Sequence, residues 1–450
     1  MTARVLALSG LAEARIERLD PARDIVLDWV STDRNTHLGD EAIEESLGVT
    51  LDPPARDLLE VAAAIVLGDQ CVTRGQNEAW VRDVEYVLPV RSTALWRRAT
   101  PILHSLLHLM TWDNIALSFD LRPGGRKPGR PRRVSADIGV DCVSLLSGGI
   151  DSFAGAVMLL ESGRTPLFVT HQSRNPTIRQ AQSHVLEVLE GRYAGRFRSV
   201  VATLGTSRVR QPLYPLPDDE ERETSQRARS LWYLALACVC SRCVGVRDVY
   251  LCENGVLAAH LPMAPSRIGS FSTRTAHPAV LSMFADLVAI TMDHAVSIAN
   301  PFTTQTKGEM VRYVLRHRIP EQAIRGTESC WQSGRRPRPC GACVPCLMRA
   351  LAFASAGVGQ EVYEVDLLGN PAAHVQTEGY RNLVDLLSIV RDFTILTDEQ
   401  LIRRYPDIIM DQLPEQTIIS TYRRYAQEVV EQARSRFPEL ARLLGLPPEG

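Results

Sequence analysis

The stretch that most constrains this chain is residues 140–163, VDCVSLLSGGIDSFAGAVMLLESG. Val140, Val143, Leu145 and Leu146 form a short apolar run, suited to a buried strand of a parallel sheet. The run breaks at Ser147, Gly148, Gly149, Ile150, Asp151 and Ser152. Phe153, Ala154, Ala156, Val157, Leu159 and Leu160 then predict a helix packed on a sheet, with Gly163 as its C-cap. Strand, glycine turn and helix N-terminus together form the geometry in which backbone N–H groups and the helix dipole hold a phosphate. Two successive glycines let the backbone approach an anion where a Cβ would clash. Ser147 and Ser152 can donate hydroxyl hydrogen bonds to phosphate oxygens, and Asp151 could help hold Mg2+. Gly-Gly by itself would equally suit an ordinary strand–helix turn. The string lacks the Gly-Lys-Ser/Thr of a Walker loop and the third glycine of a dinucleotide fingerprint.

As a whole, Ser-Gly-Gly-Ile-Asp-Ser resembles the pyrophosphate loop of the PP-loop ATP pyrophosphatases. That resemblance implies ATP split between its α and β phosphates, with a substrate oxygen becoming an acyl- or imidoyl-adenylate. AMP then leaves when a nucleophile attacks.

At 450 residues the chain suggests two or three domains, and 45% apolar residues are enough for sizeable cores. A net charge of −2 advertises no global basic field for nucleic acid. There is no run of 18 apolar residues, and acidic residues stand where a signal peptide would not have them. The expectation is a soluble, cytoplasmic protein without membrane contact. Ten cysteines in such a chain point to metal or reduced thiols before disulfides.

Residues 1–122 read as an α+β N-terminal domain. Strands are expected at 5–8, 24–27, 80–90 and 114–121, with helices at 52–67 and 95–110. Arg74, Trp80 and Arg82 could touch a partner, but solvated arginines and a core tryptophan are the plainer reading. Residues 123–135 open with PGGRKPGRPRR, a Pro/Gly/Arg linker able to contact phosphate or to act as a solvated tether.

From residue 136 the chain alternates strands and helices, the pattern of a doubly wound parallel sheet. Strands are expected at 166–170, 197–202, 248–252 and 297–300. The proline- and acid-rich segment 213–223 suits a mobile active-site cover. Glu253 and Asn254 fall at a strand's carboxyl end, where doubly wound sheets read substrate. Arg227 and Arg229 gain nothing from the dipole at a helix N-terminus, which favours a ligand-facing role. Lys307 opens a helix against the same dipole, a cost that phosphate or an adenylate would repair. His277 precedes a proline, where a helix entry is the commoner explanation than catalysis.

Cys330, Cys340, Cys343 and Cys346 form the second strong signal, in CWQSGRRPRPCGACVPCLMR. Four thiolates suit a closed, structural Zn2+ site, with an iron–sulfur cluster as the rival. Cys238, Cys240 and Cys243 lie in an apolar helical run and read as core.

A PP-loop domain ending in such a knuckle, with Arg349 after the fourth cysteine, resembles the QueC or 7-cyano-7-deazaguanine synthase family. Arg229-Ser230 before an apolar helix and Pro301…Lys307 extend the match, which covers about 140–355. The resemblance implies ATP-dependent adenylation of a 7-carboxy-7-deazaguanine-type acid, with Mg2+ beside ATP and Zn2+ in the knuckle. Ser147, Gly148, Gly149, Asp151 and Ser152 would hold the nucleotide, and Asp151, Lys307 and Arg229 would serve catalysis. The product would be an amide or nitrile, or the group would pass to a macromolecule. Two departures stand out. The family's Tyr-Pro-Asp-Cys segment is replaced by a polar loop, residues 260–278, in which Arg274 and His277 could meet an acceptor. The chain also adds its front and a helical extension, 356–450. That layout resembles the enlarged QueC-like proteins of bacterial anti-phage defence operons (the QatC type), which implies protein partners from the same operon. A tRNA-thiolating PP-loop enzyme and a non-catalytic ATP-binding subunit of a defence complex are the alternatives.

Overall fold

The computed structural model describes residues 3–7, 19–20, 24–74, 81–122, 139–207, 209, 211–262, 274–334, 337–410 and 412–446. Trp80, the linker expected at 123–135 and most of the 260–278 loop lie outside these. The described strands are β1 (Ala3–Ala7), β2 (Asp24–Leu27), β3 (Thr36–His37), β4 (Asp83–Val90), β5 (Asn114–Leu121) and β6 (Cys142–Leu145). They continue as β7 (Pro166–His171), β8 (Arg198–Ala202), β9 (Gly205–Thr206), β10 (Asp248–Tyr250) and β11 (Ser297–Ala299).

The expected doubly wound sheet has the order β11-β10-β6-β7-β8, with all its pairs parallel. The chain leaves β6 in one direction and returns to β10 on its other side, so a topological switch point opens at their carboxyl ends. Alternate residues feed opposite faces. Phe168 packs among Ile150, Phe153, Val185 and Met310 on one side, whereas Leu167 and Val169 join Leu234, Ala235 and Phe284 on the other. Both faces are buried, and each leucine or phenylalanine enclosed this way contributes about 2 kcal/mol.

The front segment forms its own sheet, ordered β2-β1-β4-β5. Every described pair in it is parallel, which corrects the α+β expectation for this segment. Its helices are crossovers, and parallel strands require such connections. Asp52 caps the helix Pro53–Cys71 by accepting from the Ala55 N–H at 3.0 Å. That helix and Thr93–Thr111 pack against Arg229–Val244 and Pro278–Met292 of the second sheet's cover. Front residues such as Leu59, Ile65 and Trp96 thereby share one core with Leu234, Val239 and Val288.

A buried ion cluster completes this join. Asp113 accepts from Arg74 at 2.7 and 2.8 Å and from Arg82 at 2.6 Å, while Arg82 also pairs with Asp69. Neither arginine is a solvated side chain or a partner contact. Enclosing an arginine is tolerable only when carboxylates and carbonyls take up its donors. Segment 213–223 is likewise held at both ends. Asn35 donates to the Tyr214 carbonyl at 2.7 Å, and Glu223 accepts from the Arg74 N–H at 2.8 Å.

The tail is helical as expected. Glu378–Ile395 and Glu415–Ser435 enclose Leu386, Val390, Tyr422 and Val429 in a core shared with Val256, Leu261 and Leu347 of the sheet domain.

Candidate functional site

The site lies at the carboxyl ends of β6 and β10. After β6 the chain turns through Gly148 at φ +84°, a left-handed conformation that other residues rarely adopt. A Cβ there would also come within 2.9 Å of the Gln182 backbone nitrogen. Gly149 then caps the helix Ile150–Glu161 without any side-chain cap, leaving the first-turn N–H groups to the opening. The Ser147 and Ser152 hydroxyls lie 3.0 Å apart, and Ser152 donates to the Gly149 carbonyl at 3.0 Å. The two serines thus brace the turn.

Asp151, in the first turn, meets two elements. The Lys307 ammonium pairs with Oδ1, and Asn254 donates to Oδ2 through its side chain at 2.8 Å and its backbone at 3.3 Å. Lys307 is buried, at the start of the helix Lys307–Arg316, whose Thr306 and Glu309 form a reciprocal capping box. Of the 50 lysines and arginines in the chain, only Lys127 and Lys307 are lysines. That scarcity is a signal in the sequence that singles out position 307.

Glu253, three residues after β10, lies beside this pair. Burial, reinforced by the Asp151 carboxylate, pushes its carboxyl up to about 7 against the opposing pull of Lys307 and Arg229. The Arg229 guanidinium lies close enough to Glu253 to oppose that rise. Arg227, by contrast, is buried, donates to the Thr111 carbonyl at 3.2 Å and neighbours the Arg74–Arg82 cluster. Two residues before the helix starts, its direction is set by the front segment and not by the ligand opening.

His277 accepts from the Ala279 N–H at 3.2 Å and caps the helix Pro278–Met292, the helix-entry role. Next to it, the Thr275 and Ser230 hydroxyls meet at 2.6 Å, and the Ala276 backbone lies near enough to Glu253 to favour its charged form. Residues 274–277 therefore cross the site's rim. Sequence reading missed Glu328. Its N–H donates to the Gly148 carbonyl at 3.0 Å, while its carboxylate accepts from the Cys330 N–H at 2.6 Å. One residue thus joins the glycine turn to the cysteine knuckle.

In the knuckle, the Sγ atoms of Cys330, Cys340, Cys343 and Cys346 all lie within 4.8 Å of one another. A tetrahedral ion with metal–sulfur bonds of about 2.3 Å requires sulfurs about 3.8 Å apart, and Cys340 and Cys346 are at 3.9 Å. Backbone N–H groups aim at the sulfurs, Ala342 and Cys343 at Cys340 (3.4 and 3.3 Å) and Gln332 at Cys330 (3.3 Å). Gly341 supports this at φ +71°. All four thiols are buried, so the donor set fits a closed metal site. Arg349 is structural. It forks onto Glu361 at 2.8 Å and covers the Phe353 ring.

Fold and site together define a parallel α/β domain of the PP-loop kind, carrying a four-cysteine cluster and a helical extension. Residues 141–357 match the family model of the queuosine biosynthesis protein QueC. The chain is 27% identical over 229 residues to the 7-cyano-7-deazaguanine synthase of Azotobacter vinelandii, covering 48% of this chain and 94% of that enzyme. It is 28% identical over 235 residues to the enzyme of the same name from Archaeoglobus fulgidus, covering 48% and 87%. Among the described residues, no helix is long and apolar enough to cross a membrane.

Proposed function

We propose that this chain adenylates the carboxylate of a 7-deazaguanine acid, of the 7-carboxy-7-deazaguanine type, and releases pyrophosphate. The observation that carries the reading is the Lys307–Asp151 pair beside an uncapped helix N-terminus, in a domain whose relatives are 7-cyano-7-deazaguanine synthases. A substrate carboxylate oxygen attacks the α-phosphorus of ATP, and the bond from that phosphorus to the bridging oxygen breaks. The turn at Ser147, Gly148, Gly149 and Ser152 holds the departing pyrophosphate, with Lys307 and Arg229 offsetting its charge. An amine then attacks the acyl carbon, AMP leaves, and Glu253 is placed to take the proton. Mg2+ would accompany the nucleotide, with Asp151 as its carboxylate on this chain, screening phosphate charge. Zn2+ suits the four thiolates and supplies folding energy there.

The end point we favour is transfer of the activated group to a macromolecule, a protein partner before a nucleic acid, in an anti-phage setting. This rests on the enlarged layout alone. Ten free cysteines suit the reduced cytoplasm. They argue against the thiolation alternative. Cys252, two residues after β10, is buried and pushed up to about 12, and desolvation likewise raises the half-buried Cys243 to about 12, whereas a persulfide carrier needs an accessible, low-pKa thiol. The intact loop and its charge pair argue against a non-catalytic subunit.

The test is mass spectrometry after incubation with ATP, Mg2+ and 7-carboxy-7-deazaguanine, with ammonia or with the neighbouring gene products. AMP together with a mass gain on a macromolecule supports the full reading. Free 7-cyano-7-deazaguanine with every macromolecule unchanged makes the chain an enlarged nitrile synthase, and unreacted acid overturns the substrate.

A further inference from the structure

The tail helix Glu415–Ser435 reaches both elements that converge on Asp151. On the Lys307 side it grips the capping box itself. Thr306 donates its hydroxyl to Glu428 at 2.9 Å, and Arg312, six residues further along, pairs with the same carboxylate. Arg424 donates to Glu309 at 2.9 Å and to the Thr304 carbonyl. Both capping residues of the Lys307 helix are therefore held by tail side chains. Contact is close, because a Cβ on Gly308 would lie within 2.8 Å of the Glu428 carboxylate.

On the Asn254 side, Tyr422 spans the segment after β10. Its hydroxyl donates to the Val256 carbonyl at 2.8 Å and accepts from the Leu261 N–H at 3.1 Å. Asn254 caps the short helix between those points through the Leu257 N–H at 3.2 Å, and its other end holds Asp151. Three residues of one helix, Tyr422, Arg424 and Glu428, thus set the two arms that meet on the loop carboxylate.

We propose that Arg424 and Glu428 are positioning residues of the activation site, setting the Lys307 ammonium against Asp151 through the Thr306–Glu309 cap. This rests on the adenylation reading above. The tail is then a wall of the site, whatever else docks on its outer face. Burial raises the Glu428 carboxyl, and Arg312 and Thr306 draw it back toward the charged form, so its ion pair depends on that contact geometry.

The test is ATP–pyrophosphate exchange with 7-carboxy-7-deazaguanine, measuring kcat and KM separately. Arg424→Ala and Glu428→Gln should each lower kcat about tenfold and leave the KM for ATP within about twofold. On a Lys307→Ala background, Glu428→Gln should change the rate by less than about twofold, since its effect runs through that ammonium. Wild-type kcat in both single variants, or a loss that multiplies undiminished on the Lys307→Ala background, overturns the proposal. Should Glu428→Gln fail to fold, Arg424→Ala decides, because that side chain is 39% exposed. A second readout does not need activity. Protein labelled with 13C-lysine gives signals from Lys127 and Lys307 alone. The Lys307 Cε shift should move in both variants while Lys127 stays, and an unmoved Lys307 signal also overturns the proposal. If the wild type shows no exchange, the adenylation reading fails, and the lysine signal still decides the positioning.

Discussion

Replacing Glu253 with glutamine should stabilise the protein at alkaline pH. Its carboxyl is pushed from an ordinary 4.5 to about 7, first by burial and then by the Asp151 carboxylate. Below about pH 4.5 the group is protonated in both folded and unfolded chains. Between 4.5 and 7 the folded protein keeps a proton that the unfolded chain has released, so stability falls as pH rises through this window. The full difference corresponds to about 3.4 kcal/mol, from about 1.36 kcal/mol per pH unit. Glu253 is only half-buried, and water reaching it reduces the expected penalty to about 2 kcal/mol. Glutamine keeps the shape and never ionises. Urea unfolding of wild type and Glu253→Gln, run from about pH 5 to about pH 8.5, should show similar stability at the acid end and a variant about 2 kcal/mol more stable at the alkaline end. A difference that stays constant across the range, or a variant that is weaker at alkaline pH, would refute the reasoning.

Three further outcomes are expected. ATP should be cleaved to AMP and pyrophosphate, with Asp151→Ala or Ser147→Ala slowing this by on the order of a hundredfold; release of ADP and phosphate would show the loop reading to be wrong. Metal analysis should find one tightly held zinc per chain, and serine at any of Cys330, Cys340, Cys343 or Cys346 should lower the thermal midpoint. Iron with visible absorbance, or a well-folded metal-free protein, would contradict this. Arg82→Ala leaves Asp69 and Asp113 buried with reduced partners and should cost about 3–5 kcal/mol. Denaturation should then lower the midpoint of one shared transition for the front and the sheet domain, and separate transitions would count against their common core.

What was legible in the chain was legible for local reasons. The apolar run before Ser147, the two glycines and the amphipathic stretch after them each specify a conformation within a few residues. The knuckle was equally open to reading, because thiol spacing is itself a geometric statement. A cation at a helix start opposes the dipole, which singled out Lys307, and the fold sets its ammonium against Asp151. The same argument failed for Arg227. Its partner is the carbonyl of Thr111, more than a hundred residues away, and only tertiary packing brings them together. Arg74 and Arg82 failed alike, since arginines read as solvated unless the carboxylates enclosing them are already known. The front's parallel pairing was also hidden, because helices between strands fit α+β and α/β arrangements equally until register is seen.

The additions flanking the QueC-matching segment are not attached as independent units, and the reason lies in the sheet it is built on. A parallel sheet buries both faces, and each helical layer covering it presents a second, outward face of its own. The front covers the layer made by Arg229–Val244 and Pro278–Met292, while the tail covers Lys307–Arg316 and Val344–Ser355. Both additions reach the proposed site through the start of a helix. The front does so where Asp69 accepts from the Ala228 N–H at 3.1 Å, one residue before Arg229. The tail does so at Thr306, one residue before Lys307. First-turn residues are where a helix exposes unsatisfied N–H groups and where anions are held. A segment that fixes such a turn from behind therefore fixes the cation in front of it. Arg229 and Lys307 approach Glu253 from opposite layers, so their relative placement depends on front and tail together. A sheet domain of this kind lacking both additions would have to secure these two turns by other contacts.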